Sequence, residues 1–314
     1  MQLTATPEAR TFARIAEVWL PEGETLVHGG GAYGNASEFA EISGKTSFAK
    51  GEGLPGKAWA EARPVVLKEF DGSYFQRTEA ALEAGLTCAV AVPVFAGKTL
   101  KAVLVILCGD DAEHHGAIEV WEDQGNKLHL SDGYYGTAQK FEEISQDVSF
   151  SYGQGLPGGV WAANTPILMR DLSRVGAFLR AEAAGEIGLK HGLGVPVPVP
   201  GDKTFVLTLL SSAGTPIARR FEIWDARPEV VGATKKALRI DGFCEIEGPL
   251  WPKENPPVDA ETVGAWQGPV GQVVGSGLPQ VHTGATGLPA GYTLMVALPV
   301  YQHGELAHVV AWYL

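Results

Sequence analysis

The chain is poor in sulfur. It has three cysteines and three methionines in 314 residues, and no cysteine lies in a Cys-x-x-Cys pair. That excludes a disulfide scaffold or a cysteine-built zinc module and fits a reducing compartment. No apolar run reaches the ~18–20 residues of a membrane span, and the opening MQLTATPEARTFARIAEVW lacks the apolar core of a signal peptide. The expectation is a cytoplasmic protein with no membrane partner. Basic residues are scarce too: 24 Lys and Arg stand against 36 Asp and Glu, a formal charge of −12. Lys235-Lys236 and Arg219-Arg220 are isolated pairs, not a stripe. Nucleic acid is therefore excluded as an expected partner, because phosphate binding needs a basic surface. Apolar residues at 45% and charged residues at 19% are globular proportions.

Repetition is what the chain does have. GEGLPGKAW (51–59) returns as GQGLPGGVW (153–161), 102 residues later. Trp19, Trp121 and Trp224 stand in AEVWL, IEVWE and FEIWD, 102 and then 103 residues apart. GLTCAVAVPV, GLKHGLGVPV and GYTLMVALPV begin at 85, 188 and 291. A period this long exceeds the ~20–50 residues of solenoid units, so each copy should own a core. The expected modules are residues 1–110, 111–214 and 215–314.

Within the first copy the pattern predicts a short helix over Pro7 to Ala16, then a hairpin turning at Pro21-Glu22-Gly23-Glu24. The shared Phe-x-Glu-Ile-Ser segments (39–43 and 141–145) predict a short helix held by one aromatic. The Gly-rich motif opens another helix: Gly53 and Gly56 supply unusual backbone angles, Pro55 suits the first turn, and Trp59 or Trp161 anchors the helix on the sheet. A strand with proline at its entry follows, then a helix over SYFQRTEAALEAG or VGAFLRAEAAGEIG, then two closing strands. Hairpins interrupted by helices, without strand–helix alternation, predict an α+β fold on an antiparallel sheet.

This order of features resembles the GAF domain, the PAS-related small-molecule sensor module. It runs from an EVW-type strand through Phe-x-x-Gly-x-Gly-Leu-Pro-Gly-x-x-Trp and a Phe-x-Arg helix to a strand ending Val-Pro-Val. Copies 1 and 2 carry it over nearly their full lengths; copy 3 carries FEIWD, GPVGQVVGSGLPQVH and the closing strands. The resemblance implies three GAF-like modules, each a central antiparallel sheet flanked by helices, with a pocket between sheet and helices. Copy 3 is degenerate. Pro64 to Pro93 spans 29 residues and Pro166 to Pro196 spans 30, but Pro279 to Pro299 spans only 20. The shortening falls on the Phe-x-Arg helix, so the pocket wall should be missing there. Copy 3 also has an extra Pro-rich stretch, GPLWPKENPPVD (248–259). No room exists between copies for the long connecting helices of signalling GAF proteins, and no effector segment is evident, so any signal is expected to pass through a partner.

By motif position, the candidate pocket residues are Trp59, Phe70, Phe75, Arg77 and Cys88, with Trp161, Leu172, Phe178, Arg180 and His191 as counterparts. Arg77 and Arg180 either bind an anionic ligand or pair with Asp71 and Asp171. His191 is either a partly buried polar residue or a pocket ligand. Cys88 lacks the neighbouring histidine of tetrapyrrole-binding GAF sensors, so no covalent tetrapyrrole is expected and the cofactor stays unknown; the thiol suits a core position. Gly-Leu-Pro-Gly lacks the Lys-Ser/Thr of a phosphate loop. Asp110, Asp111, Glu113, His114 and His115 are dense in metal-ligand types but suit a solvated turn, so no metal is expected. No nucleophile–base pair is evident, nor the clustered cysteines of the free methionine sulfoxide reductases of this fold. The expectation is a non-catalytic sensory or regulatory protein binding a small molecule in copies 1 and 2 and signalling through a partner protein. The alternative is a ligand-free scaffold for protein–protein contact; self-association is left open.

Overall fold

Each third of the chain closes its own antiparallel sheet in the computed structural model, which describes residues 11–109, 116–173, 176, 178–212, 216–232, 234–250 and 261–314. The first unit runs β1 (Ala13–Glu22), β2 (Thr25–Ala32), α1 (Ser37–Lys45), β3 (Ser47–Ala49), α2 (Gly53–Glu61), β4 (Val65–Leu67), α3 (Thr78–Glu83), β5 (Cys88–Ala96) and β6 (Thr99–Cys108). Its sheet order is β3-β2-β1-β6-β5-β4. The second unit repeats every element: β7 (Gly116–Asp123), β8 (Lys127–Tyr134), α4 (Gln139–Asp147), β9 (Ser149–Ser151), α5 (Gly155–Ala163), β10 (Ile167–Met169), α6 (Ala181–Glu186), β11 (Leu189–Val197) and β12 (Phe205–Ser212). The third has β13 (Arg220–Asp225), α7 (Pro228–Val231), β14 (Lys236–Cys244), β15 (Gly248–Pro249), β16 (Thr262–Gly264), α8 (Gly268–Ser276), β17 (Gln280–Thr283), β18 (Leu294–Gln302) and β19 (Glu305–Tyr313). It keeps the strand order as β15-β14-β13-β19-β18-β17.

Several expectations change. Ala13 to Ala16 belong to β1, and Thr11 and Phe12 are not helical either; residues 7–10 of that predicted helix lie outside the described residues. The Phe-x-Arg helices are shorter than expected: α3 and α6 have six residues each, and Arg77 and Arg180 occupy their N-cap positions. Between β17 and β18 the chain has no helix at all, so the third unit lacks that wall. Most of the Pro-rich stretch and the whole 110–115 cluster lie outside the described residues.

The Gly-Leu-Pro-Gly motif works by two different means. Gly53 and Gly155 hold left-handed φ values of +56° and +60°, angles that favour glycine. Gly56 and Gly158 are there for close approach. A Cβ on them would fall 2.1 Å from the Ala49 carbonyl oxygen and 2.2 Å from that of Ser151. The helix is seated by Leu54 and Ala58, or Leu156 and Val160, all fully buried. Trp59 and Trp161 stay half-buried at its rim, beside Lys50 and Tyr152.

Both faces of each sheet are covered, which explains strands that read as near-continuous apolar runs. On β5 and β6, Ala89, Ala91, Val103 and Val105 face the unit's own helices. The alternate residues face inward on a core shared by all three sheets, including Val92 and Leu104, Val195 and Leu207, and Leu298 and Val310. Each such fully buried side chain contributes about 1.5–3 kcal/mol relative to exposure. The Val-Pro-Val ends of β5 and β11 and Leu298-Pro299 of β18 meet around one apolar dimple.

The units therefore close head to tail. Lys68, just after β4, pairs with Glu142 at 3.0 Å and with Asp132 of β8 at 3.6 Å. One repeat on, Arg170 pairs with Asp241 of β14, and the His191 ring lies 3.9 Å from that of Phe243. The third seam brings β17 against β1 and β2. Register puts Gly30 where the other seams have Asp132 and Asp241. A cleft of 60 Å³ lined by Val18, Leu20, Gly29, Gly30 and residues 278–281 opens there.

Candidate functional site

The side chain at the middle of the first unit is Arg77. The turn before α3 fixes it: Ser73 Oγ donates to the Phe70 carbonyl at 2.7 Å and accepts from Phe75 N–H at 3.1 Å. Thr78 Oγ1 donates to the Phe75 carbonyl at 2.7 Å. Phe75 is thereby packed on Phe70, with ring centroids 4.5 Å apart, and the guanidinium is directed inward. It donates to both oxygens of Glu17, Nη1 to Oε1 at 2.6 Å and Nη2 to Oε2 at 2.9 Å. Nη1 also donates to Ser43 Oγ on α1. Four rings surround it: Phe39, Trp19, Phe75 and Phe48, at 4.6, 5.2, 5.2 and 5.7 Å.

Glu17 sits on β1 with no solvent exposure. Trp19 Nε1 donates to Oε2 at 3.2 Å and Tyr33 Oη to Oε1 at 3.1 Å, so each carboxylate oxygen accepts from two groups. Burial and the Glu17 charge push the Tyr33 phenol well up. The second unit repeats the constellation. Arg180 donates to Glu119 and to Ser145; Trp121 and Tyr135 donate to the same carboxylate, each at 3.1 Å; Thr208 adds a bond at 2.9 Å. Burial raises the Glu119 carboxyl, but the Arg180 charge and the bonds from Arg180, Thr208 and Trp121 outweigh it and hold the group below the usual range.

The third unit keeps the carboxylate and exchanges its partners. Glu222 accepts from Trp224 at 3.0 Å, but the hydroxyl comes from Tyr313 at 2.6 Å and the cations are Arg220 and Arg239 at 2.7 and 3.3 Å. Tyr33 and Tyr135 follow the unit's second strand, whereas Tyr313 ends β19. Arg77 and Arg180 precede the wall helix, whereas Arg220 and Arg239 lie on β13 and β14. Loss of the wall helix thus removed one arginine, and the sheet itself supplies others.

The predicted set divides accordingly. Phe70, Phe75 and Arg77 meet inside unit 1, and Leu172, Phe178 and Arg180 inside unit 2. Cys88 lies on the opposite face of its sheet, in the shared core, in register with Cys108. Burial, then the hydrogen bond with Cys108, pushes its thiol up. His191 belongs to the seam with the third unit: its Nδ1 lies 2.7 Å from the Arg170 carbonyl, and burial lowers its pKa. The arginines form salt bridges, but with Glu17 and Glu119 and not with Asp71 and Asp171. Asp171 instead accepts from Ser173. Glu17, Glu119 and Glu222 were the missed members. Their signal was a carboxylate at one fixed place in three otherwise apolar strands. Among the described residues no group of three or more His, Cys, Asp or Glu is placed to hold a metal.

Strand order, Gly-rich helix and wall helix now stand together with a match to the GAF domain family model over residues 4–114. That match spans the first unit, which is GAF-like. The second and third repeat its sheet, giving tandem GAF-like units with the third degenerate. Among solved structures, the GAF domain of A. aeolicus nlh2 in an inactive state is 23% identical, covering 32% of this chain and 60% of its own, at a TM-score of 0.26. The GAF domain/HD domain protein from Geobacter sulfurreducens is 14% identical over 31% of this chain and 63% of its own, with a TM-score of 0.27. Free methionine-R-sulfoxide reductase from Neisseria meningitidis, in complex with its substrate, is 19% identical over 31% and 52%, with a TM-score of 0.25. This chain thus spans roughly half to three-fifths of the length of these chains. No curated protein matches it. Among the described residues no helix is long and apolar enough to cross a membrane.

Proposed function

We propose that this is a non-catalytic, cytoplasmic GAF-type regulatory scaffold that acts by protein contact. Its three modules (1–110, 111–214 and 215–314) are locked into one ring. The observation that supports this most is the filled interior of the first two units. Where a GAF sensor would hold its ligand, Arg77–Glu17 and Arg180–Glu119 are ion-paired, stacked among rings and fully buried. A ligand there would have to displace a bidentate pair and leave a buried carboxylate bare, at a cost of about 3–5 kcal/mol. Thiol chemistry is disfavoured because Cys88, Cys108 and Cys244 are all buried.

A second reading keeps a small molecule in the same place, with Trp59, Phe70, Phe75 and Arg77, and Trp161, Leu172, Phe178 and Arg180, around it. One observation favours it: among the described residues the buried Nε atoms of Arg77 and Arg180 have no hydrogen-bond partner. Native mass spectrometry of protein purified gently from its host separates the readings. The scaffold reading expects the mass of the chain or of a protein complex; a small molecule retained at one or two per chain, and lost in Arg77→Met or Arg180→Met, overturns it.

A further inference from the structure

We infer that Trp266 anchors a docking surface for an extended, proline-containing acidic segment of a partner protein; the inference rests on the scaffold reading. Trp266 opens the third copy of the Gly-rich motif at the position held by Gly51 and Gly153. In all three copies this residue's N–H donates to the carbonyl of the motif's last glycine, at 2.7, 2.9 and 2.6 Å from Gly51, Gly153 and Trp266. In all three its φ is left-handed: +90°, +80° and +70°. Glycine adopts that angle freely and tryptophan does not.

A second change accompanies the first. The helix residue facing this position is Ala60 in unit 1 and Ala162 in unit 2, but Gly275 in unit 3. A Cβ on Gly275 would fall 2.4 Å from the Trp266 indole. The indole therefore packs against the backbone of α8 at Gly275, while the residue remains 67% exposed. Meanwhile the rim tryptophan of the other helices, Trp59 or Trp161, is replaced by buried Val274. The third unit carries its indole at the same rim from a strained position, with a helix residue cut back to seat it. Neither change helps the fold, since a strained angle and an exposed indole both work against stability. Both make sense for a rigid aromatic platform presented to a partner.

The surroundings select the partner's chemistry. Lys235, whose carbonyl accepts from Ala265 N–H at 2.9 Å, is exposed and makes no ion pair among the described residues. Glu261, the nearby carboxylate, is already paired with Arg239 at 2.6 Å. Gln267, an exposed residue, uses its Oε1 for Gly264 N–H at 2.9 Å and keeps its amide N–H groups as donors. A proline ring stacks on an indole, its extended backbone offers carbonyls to such donors, and a flanking carboxylate would meet Lys235. An anionic membrane is the weaker fit, because α8 already buries its apolar residues and this surface offers a single indole to insert.

The test uses the full chain and a fluorescein-labelled peptide of four Pro-Pro-Asp repeats, read by anisotropy. The wild type should bind saturably, with weakening at high salt. Trp266→Gly should bind about 10-fold or more weakly while melting no lower than wild type, because glycine relieves the strained angle. Lys235→Glu should weaken binding about threefold or more at low salt. Absence of wild-type binding up to millimolar peptide, or equal binding by Trp266→Gly, overturns the inference. So does Trp266-dependent sedimentation with phosphatidylserine vesicles in place of peptide binding. Failure here leaves the scaffold reading standing, since that reading falls only if a stoichiometric small molecule is found.

Discussion

Arg77→Met is the perturbation that bears hardest on this account. Methionine keeps an unbranched chain about as long as the arginine stem and removes the guanidinium. Glu17 would retain its bonds from Trp19 and Tyr33 but lose its cation at a site with no solvent exposure. Removing one member of a buried pair costs about 3–5 kcal/mol, chiefly because the survivor is an uncompensated charge. At about 2 °C per kcal/mol for a chain of this size, the melting temperature should fall about 6–10 °C. The cause can be isolated in the double variant Arg77→Met/Glu17→Gln, whose amide oxygen can accept from Trp19 while its NH2 donates to the Tyr33 hydroxyl, with no charge left in the site. It should recover at least half of the loss in thermal and urea unfolding. The reasoning is refuted if the single variant lies within about 1 kcal/mol of wild type, or if the double variant is no better than the single.

Three other outcomes follow from the geometry. His308 is fully buried on β19; burial lowers its pKa to about 4 despite Asp225 at 3.8 Å. It is neutral in the fold, so its contribution is present above about pH 6.5 and is lost as pH falls from there towards 4. Protonating it costs about 3 kcal/mol, and His308→Phe, which copies Phe205 of the second unit, should flatten that part of the urea-stability profile. Gly158→Ala should destabilise by about 1–3 kcal/mol or more, because the backbone of β9 must move to admit the methyl; an unchanged denaturation midpoint would mean that the motif's last glycine is not a packing residue. All three cysteines should resist a thiol reagent in the native protein and react in guanidinium, since each is buried and burial raises the Cys88 thiol further from its reactive form.

Much of the fold was legible because the repeat is dense in punctuating residues. Gly-Leu-Pro-Gly, the EVW-type strand and the Val-Pro-Val strand fall at fixed spacing and mark helix starts and strand ends. The first helix was misplaced because TFARIAEVW has apolar residues compatible with either period, and only pairing with β6 decides for a strand. The site was half legible. Aromatic and arginine positions were visible in the Phe-x-Arg motif, but the partner of Arg77 is 60 residues away on β1, beyond any local pattern. The nearer Asp71 looked sufficient by sequence and is left aside by the inward turn. Cys88 and His191 were assigned to the wrong face, since one strand serves two cores and sequence alone does not say which alternation faces the helices. Strands apolar on both sides were themselves a sign of a second buried face.

If Arg77 and Arg180 fill the first two units, those interiors stay closed over their arginines in the native protein. Hydrogen exchange of the guanidinium Nε–H groups, followed by ¹⁵N NMR after transfer to D₂O, tests it most directly. Arg77 and Arg180 should give two slowly exchanging Nε–H signals, each assigned by its disappearance in Arg77→Lys or Arg180→Lys and each surviving as long as the core amides. Exchange of both within the dead time, while those amides stay protected, would mean that the interiors open to solvent and that the paired arginines are a gate, not a fill.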